Sequence, residues 1–174
     1  MTVNYLVTYA TRQGSTTEIA RAIANTLREC GQSVDVLPVS EVRNLKSYDA
    51  VFIGSAVRYG TVLPEVIEFV KRHRFILSAM PVAGFISCQT ISHHTYDSAQ
   101  SVAEYLKPVR QMIRIRSEGY FGGFLDYSRL PTLTQRYLSE HSVPEGDFRN
   151  WIMIYRWTMK TMALMTGAPT PAGV

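Results

Sequence analysis

Residues 3–18, Val-Asn-Tyr-Leu-Val-Thr-Tyr-Ala-Thr-Arg-Gln-Gly-Ser-Thr-Thr-Glu, constrain the fold more than any other stretch. Val3, Tyr5, Leu6, Val7 and Tyr9 are β-branched, aromatic or large apolar side chains, which suit a buried extended segment. Ile19, Ala20, Ile23, Ala24 and Leu27 then recur at helical spacing. Between strand and helix lie Thr11, Arg12, Gln13, Gly14, Ser15, Thr16 and Thr17. A polar turn of this kind converges backbone N–H groups and hydroxyls on one point, at the positive end of the helix, and suits a phosphate. The same residues also serve a purely structural end, because Ser15 and Glu18 have the spacing of a capping box.

The rest of the chain continues the alternation. Gly31 stops the first helix near Cys30. Ser33–Val39 reads as a second strand. Tyr48–Gly54 reads as a third, with the near-continuous apolar run of a parallel strand covered on both faces. Ser55–Gly60 is a second loop. Pro64 opens a helix carrying Val66, Ile67, Phe69 and Val70. Pro81–Ser87 is a fourth strand, Cys88–Thr95 a third polar loop, and Tyr96–Leu106 a helix. Val109–Tyr120 contains the fifth strand, which ends at Gly122-Gly123. Helices are expected over Leu130–Ser139 and Phe148–Leu164. Gly167–Val174 is expected to fray as a tail beyond a single domain spanning residues 1–166. Strands alternating with helices predict an α/β sandwich around a parallel sheet. Ligands of such sheets sit beyond the carboxyl ends of the strands, where the three polar loops converge.

Composition narrows the function classes. A chain of 174 residues, 46% of them hydrophobic, is long enough for one domain with a sizeable core. No run is apolar enough to span a bilayer, and no basic start followed by an apolar block marks a secretory signal. Cys30 and Cys88 form no Cys-x-x-Cys pair, so free thiols in a reducing cytosol are expected, and no cluster has the spacing of a metal site. The net charge of +4 and pI near 9.2 favour acidic partners, either a carboxylate-bearing substrate or an anionic membrane surface; no nucleic-acid partner is expected. The first loop has neither Gly-x-Gly-x-x-Gly nor Gly-x-x-x-x-Gly-Lys, which weakens dinucleotide and nucleoside-triphosphate readings. No acidic pair ends the first strand, which disfavours a phosphoacceptor domain. A phosphate held by hydroxyls and amides remains, with something flat between the second and third loops. Tyr59 offers an aromatic face there, and Gly60 lets the backbone approach closely.

These residues resemble the flavodoxin superfamily. Thr11–Thr16 is similar to its Ser/Thr-x-Thr-Gly-x-Thr phosphate loop, with Gln13 where a hydroxyl is usual. Within the superfamily the chain most resembles the menaquinone-dependent protoporphyrinogen oxidase type. Tyr9–Thr16, Ile53–Gly60 and Glu68–His73 carry that resemblance, and Gly122–Tyr127 and Gly146–Trp151 support it. It implies a flavodoxin-like three-layer sandwich, with a five-stranded parallel sheet of order 2-1-3-4-5, as in flavodoxin, and helices on both faces. It also implies FMN as the cofactor.

By this resemblance Thr11, Arg12, Gln13, Gly14, Ser15 and Thr16 hold the phosphate. Ser55, Ala56, Val57, Arg58, Tyr59 and Gly60 line one side of the ring, with Tyr59 stacked or edge-on. Ser87, Cys88 and Gln89 border its pyrimidine end. FMN carries the redox chemistry, so no side chain is expected to act as acid or base and no metal is expected. Arg12 and Arg58 are candidates for binding substrate carboxylates, and His93 and His94 for shuttling protons. Where that oxidase type has a basic segment, Gln89–Ser101 contains no Lys or Arg.

Two function classes stay open. One is a quinone-dependent, FMN-dependent oxidoreductase of the protoporphyrinogen oxidase type, serving heme biosynthesis. The other is an electron carrier that docks on redox protein partners, and an NAD(P)H:quinone reductase is a weaker third reading. A cytoplasmic location is expected. The last helix, rich in Met and Trp with Arg156 and Lys160, either packs on the sheet or touches the inner membrane surface. The oligomeric state is left open.

Overall fold

The computed structural model describes residues 1–88 and 101–167. The chain runs β1 (Asn4–Ala10), α1 (Ser15–Glu29), β2 (Ser33–Pro38), β3 (Ala50–Arg58), β4 (Thr61–Val62), α2 (Pro64–Ala79) and β5 (Val82–Cys88). It continues through α3 (Lys107–Arg110), β6 (Ser117–Gly122), β7 (Phe124–Leu125), a 3-10 turn (Tyr127–Arg129), α4 (Thr132–Glu140), β8 (Gly146–Asp147) and α5 (Trp151–Thr166).

Successive side chains of a strand point to opposite faces. Here both faces are apolar, so each strand feeds two cores. Leu6, Val51, Ile53, Val82 and Ile86 join Val66, Phe69, Val70 and Leu77 of α2 on one side. Tyr5, Val7, Phe52, Ala83 and Phe85 join Ile19, Ile23 and Leu27 of α1 and Ile154 of α5 on the other. A sheet apolar on both faces must be covered on both, which gives the three layers.

Five strands are parallel in the order β2-β1-β3-β5-β6, with Val7 opposite both Val36 and Phe52, and Gly54 opposite Phe85. Counting these five alone, the order is the expected 2-1-3-4-5. A further short strand, β4, pairs antiparallel with β3. The third strand therefore runs to Arg58, beyond the expected end at Gly54. It turns at Tyr59 and Gly60, whose φ angles are 52° and 72°, and Arg58 pairs with Thr61. Positive φ at both central residues is what a two-residue type I′ hairpin requires.

Trp157 of α5 meets the rings of Phe52, Phe85 and Phe121 edge-on at 5.7, 6.2 and 5.4 Å between centroids. Such edge contacts add to area burial and anchor α5 on the sheet. Gly54 is needed beneath this cluster, because a Cβ there would lie 2.2 Å from Phe85 Cζ. α5 starts at Trp151, later than the expected Phe148. Asn150 caps it, accepting from the Met153 N–H at 3.0 Å, while Gly146–Asp147 belongs to a strand. Of the expected helix over residues 96–106, only residues 101–106 are described, and residues 101–104 are helical.

Residues 123–149 form a strap between β6 and α5. Its two-stranded ribbon pairs Phe124 with Asp147 and Leu125 with Gly146, and none of the residues of α4 is buried. Gly122 admits the returning chain, since a Cβ there would lie 2.1 Å from the Phe148 carbonyl oxygen. Cys30 and Cys88 form no disulfide. Among the described residues no helix is long and apolar enough to cross a membrane.

Candidate functional site

β1 ends at Ala10 and α1 begins at Ser15, so four residues turn the chain. Gly14 occupies the cap position at φ 90°, a conformation glycine reaches without penalty. Its N–H donates to Thr11 Oγ1 at 3.0 Å. This arrangement replaces the expected capping box. Ser15 is the first helical residue, no side chain caps the helix, and Glu18 instead pairs with Arg149. The first bond at the helix start runs from the Glu18 N–H to the Gly14 carbonyl at 3.2 Å. The N–H groups of Ser15, Thr16 and Thr17 therefore have no acceptor within the helix. Thr16 Oγ1 is buried without a hydrogen-bond partner among the described residues, and Ser15 Oγ lies 3.3 Å from Ser87 Oγ at the end of β5. Orphaned amides and hydroxyls at a helix N-terminus fit a phosphate.

A cavity of about 490 Å³ opens beside this turn, within the range of small-ligand sites. Thr11, Arg12, Gln13 and Ser15 form one end, and Ala56, Val57, Arg58 and Leu63 one wall. Ser87 and Cys88 lie at the carboxyl end of β5. The strap supplies the rest, through Gly123, Phe124, Leu125, Arg129, Leu130, Pro131, Thr134 and Leu138.

Among the described residues the lining contains three arginines and no carboxylate. Arg12 Nη2 pairs with Glu65 Oε1 at 2.6 Å. The Glu65 carboxyl is held below the usual carboxylate range by a hydrogen bond from its own backbone N–H and by Arg12. Arg129 Nε is held by Asp126 Oδ2 at 3.1 Å, with its guanidinium 5.5 Å from the centre of the Phe124 ring. Arg58 packs 5.5 Å from the centre of the Tyr59 ring and has no carboxylate partner among the described residues. An apolar slot with uncompensated positive charge suits an anionic group on a flat apolar molecule.

The site residues expected from the sequence divide into three groups. Thr11, Arg12, Gln13, Ser15, Ala56, Val57, Arg58, Ser87 and Cys88 meet at the cavity. Gly14, Thr16, Ser55, Tyr59 and Gly60 do not line it. Gly14 makes the turn and Thr16 is fully buried. Ser55 Oγ braces the wall from behind, donating to the Ala56 carbonyl at 2.7 Å and accepting from the Leu63 N–H at 2.9 Å. Tyr59 sits at the hairpin tip, 91% exposed, so its ring is not stacked inside the cavity; the positive φ of the turn carries it to the tip. Gln89, His93 and His94 lie outside the described residues. Sequence reading missed the strap residues and Leu63. The signals available were Gly122-Gly123 before an apolar pair and Pro131 before a helix. Among the described residues no group of His, Cys, Asp or Glu could hold a metal ion.

The sequence profile of the flavodoxin domain matches residues 6–143. Over 80 residues, 45% of this chain, the sequence is 40% identical to protoporphyrinogen IX dehydrogenase (quinone) of Escherichia coli K12, and the match covers 44% of that protein. The protein of the same name from Leishmania major is 36% identical over 83 residues, which are 46% of this chain and 36% of its own. The matched stretch thus spans less than half the length of these curated relatives.

Among solved structures, the fold is similar to a Streptococcus pneumoniae TIGR4 flavodoxin (TM-score 0.59, 16% identity, 92% of this chain and 98% of that one). It is similar also to the Flv1 flavodiiron core of Synechocystis (TM-score 0.59, 13% identity, 96% and 37%). The profile match covers most of the sheet and the whole phosphate turn, whose orphaned donors fit a phosphate ester. The chain therefore belongs to the flavodoxin domain family, and its cofactor is FMN.

Proposed function

We propose that this chain is an FMN-dependent oxidoreductase of the protoporphyrinogen IX dehydrogenase (quinone) type, acting on an anionic, flat, apolar substrate. The observation that carries the reading is the cavity itself, which is largely apolar and, among the described residues, lined by three arginines and no carboxylate, next to the turn between β1 and α1. The relatives of that name support it, at 40% and 36% identity over their matched stretches.

The backbone and hydroxyls of Thr11, Gln13, Gly14, Ser15 and Thr16 hold the phosphate. Arg12, fixed by Glu65, closes that end of the cavity. Ala56, Val57 and Arg58 line one side of the ring, and Ser87 and Cys88 border it at the end of β5. FMN, when bound, supplies two-electron redox chemistry. Arg58 pairs with a carboxylate of the substrate, and Tyr59 and Gly60 at the hairpin tip present a face to it. Phe124, Leu125, Leu130 and Leu138 exclude water from the opposite side.

The test uses the FMN-loaded protein with protoporphyrinogen IX under nitrogen, with and without a menaquinone analogue, following porphyrin fluorescence. Turnover that needs both FMN and quinone is expected. Porphyrin formation no faster than in a protein-free control overturns the dehydrogenase reading and favours an electron carrier.

We further propose that the outer face of α5 rests on an anionic lipid surface. Ile154, Met159, Ala163 and Met165 of this helix are buried, whereas Trp151, Ile152, Met153, Tyr155 and Leu164 are exposed beside Arg156 and Lys160. Apolar and aromatic residues flanked by basic ones suit a headgroup boundary. Flotation with vesicles containing phosphatidylserine should carry the protein, and Ile152→Glu should weaken it. Equal flotation of the two proteins would overturn the contact.

A further inference from the structure

Arg149 lies just before the cap of α5, and one guanidinium joins three parts of the molecule. Its Nε and Nη2 donate to the two carboxylate oxygens of Asp147, at 2.7 and 2.6 Å. Its Nη1 donates to Glu18 Oε2. Its flat face lies 5.3 Å from the centre of the Phe124 ring and 4.8 Å from that of Trp151. The side chain is only 9% exposed. Asp147 and Phe124 face each other across the strap ribbon, and Phe124 lines the cavity. Glu18 stands in the first turn of α1, the turn that faces the phosphate site.

Two consequences follow from the chemistry. An unpaired carboxylate in the first turn of α1 favours the empty helix end but repels a phosphate dianion, and Arg149, shared with Asp147, offsets part of that charge. Other hydrogen bonds of the strap run within it: the ribbon pairing, the Phe148 N–H to Gly123 carbonyl bond at 3.0 Å and the Tyr127 N–H to Glu145 Oε1 bond at 2.6 Å, whereas the Arg149 bond to Glu18 reaches α1. A planar fork bonded on two sides and stacked on two rings fixes position as a lysine cannot.

We propose that Arg149 is a positioning residue that couples binding of a phosphate ester at the start of α1 to seating of the strap, residues 123–149, over the cavity. The proposal rests on the FMN phosphate site described above. Arg149 does not line the cavity. It acts through Glu18 on the phosphate turn and through Phe124 and Asp147 on the cavity wall.

The test measures FMN affinity by flavin fluorescence, and hydrogen exchange of residues 123–149 with and without FMN. Wild type should take up FMN and show slower exchange in the strap when loaded. Arg149→Met should bind FMN at least tenfold more weakly, with strap exchange no longer responding to FMN. The double variant Glu18→Gln/Arg149→Met should regain most of the affinity but not the strap response, because the charge is balanced while the bridge is absent. Arg149→Lys should keep affinity better than Arg149→Met yet lack full strap protection. If Arg149→Met does not fold, Glu18→Gln makes the same test with Arg149 still bonded to Asp147, and it should keep affinity and lose the strap response. FMN binding within twofold of wild type with an unchanged strap response in Arg149→Met, or an unchanged strap response in Glu18→Gln, overturns the coupling. Failure of the wild type to bind FMN overturns the phosphate site itself, and the two failures are therefore distinct.

Discussion

Ser15 Oγ and Ser87 Oγ lie 3.3 Å apart although 72 positions separate them in sequence. The contact joins the turn between β1 and α1 to the carboxyl end of β5. A hydroxyl bonded to a charged group contributes about 1.5–3 kcal/mol, so Ser15→Ala should weaken FMN binding by about 10- to 150-fold. Ser15→Ala/Ser87→Ala should lose less than the sum of the two single changes, because the residues share a bond. Titration of the flavin fluorescence checks both. Wild-type affinity in Ser15→Ala would place the phosphate elsewhere.

Arg58 and Arg12 should behave differently. Arg12 is already neutralised by Glu65, whereas Arg58 has no carboxylate partner among the described residues. Arg58→Ala should raise KM for an anionic substrate about tenfold and flatten the dependence of KM on salt, while Arg12→Ala should change KM less. Steady-state kinetics at two ionic strengths separate them. A larger effect from Arg12 would reverse the assignment.

Gly54 is a packing requirement. A Cβ there would lie 2.2–2.8 Å from three atoms of the Phe85 ring. Gly54→Ala should cost about 1–3 kcal/mol, seen as a lower thermal midpoint by circular dichroism. Adding Phe85→Leu to that variant should recover part of the loss beyond additivity, since the smaller side chain makes room. Simple additivity of the two changes would mean that the strain is absorbed elsewhere.

His73 is buried against Phe69, its Nε2 has no partner among the described residues, and burial, with Arg72 nearby, holds its pKa below the ordinary imidazole value. The unfolded chain therefore binds a proton more readily than the folded one. Stability contributed by the neutral ring is full above about pH 6.5, the ordinary value, and declines as pH falls below it toward the lowered folded pKa. His73→Leu should flatten the stability curve between roughly pH 7 and the acid side of that window. Denaturant midpoints at several pH values measure it, and an unchanged slope would exclude His73 as its source.

Much of the sheet was legible in the sequence because its strands are buried on both sides. Tyr48–Gly54 and Pro81–Ser87 read as apolar runs, and the turn between β1 and α1 carries its own polar residues. The hairpin at Tyr59 was not legible, because Ser55–Gly60 has too little alternation to mark a strand, and no residue type announces a Tyr at positive φ. Of the strap only the helix was legible, expected over Leu130–Ser139 and found at Thr132–Glu140; its strands are two residues long and show no hydrophobic period. Arg149 was hidden as well, because its partners Glu18 and Trp151 come together only in the fold. The two faces of α5 explain why its sequence is apolar nearly all round, with one set of residues on the sheet and α1 and another in solvent.

Tyr59 occupies the first central position of the β3–β4 turn, where Asn or Asp before Gly is the favoured pair. A bulky side chain in the left-handed region costs about 1–2 kcal/mol relative to a residue at home there. Asparagine would make the same turn at lower cost, so the chain carries backbone strain at Tyr59, as it does at Ser142, and the Tyr59 ring stands in the open next to Arg58 of the cavity wall.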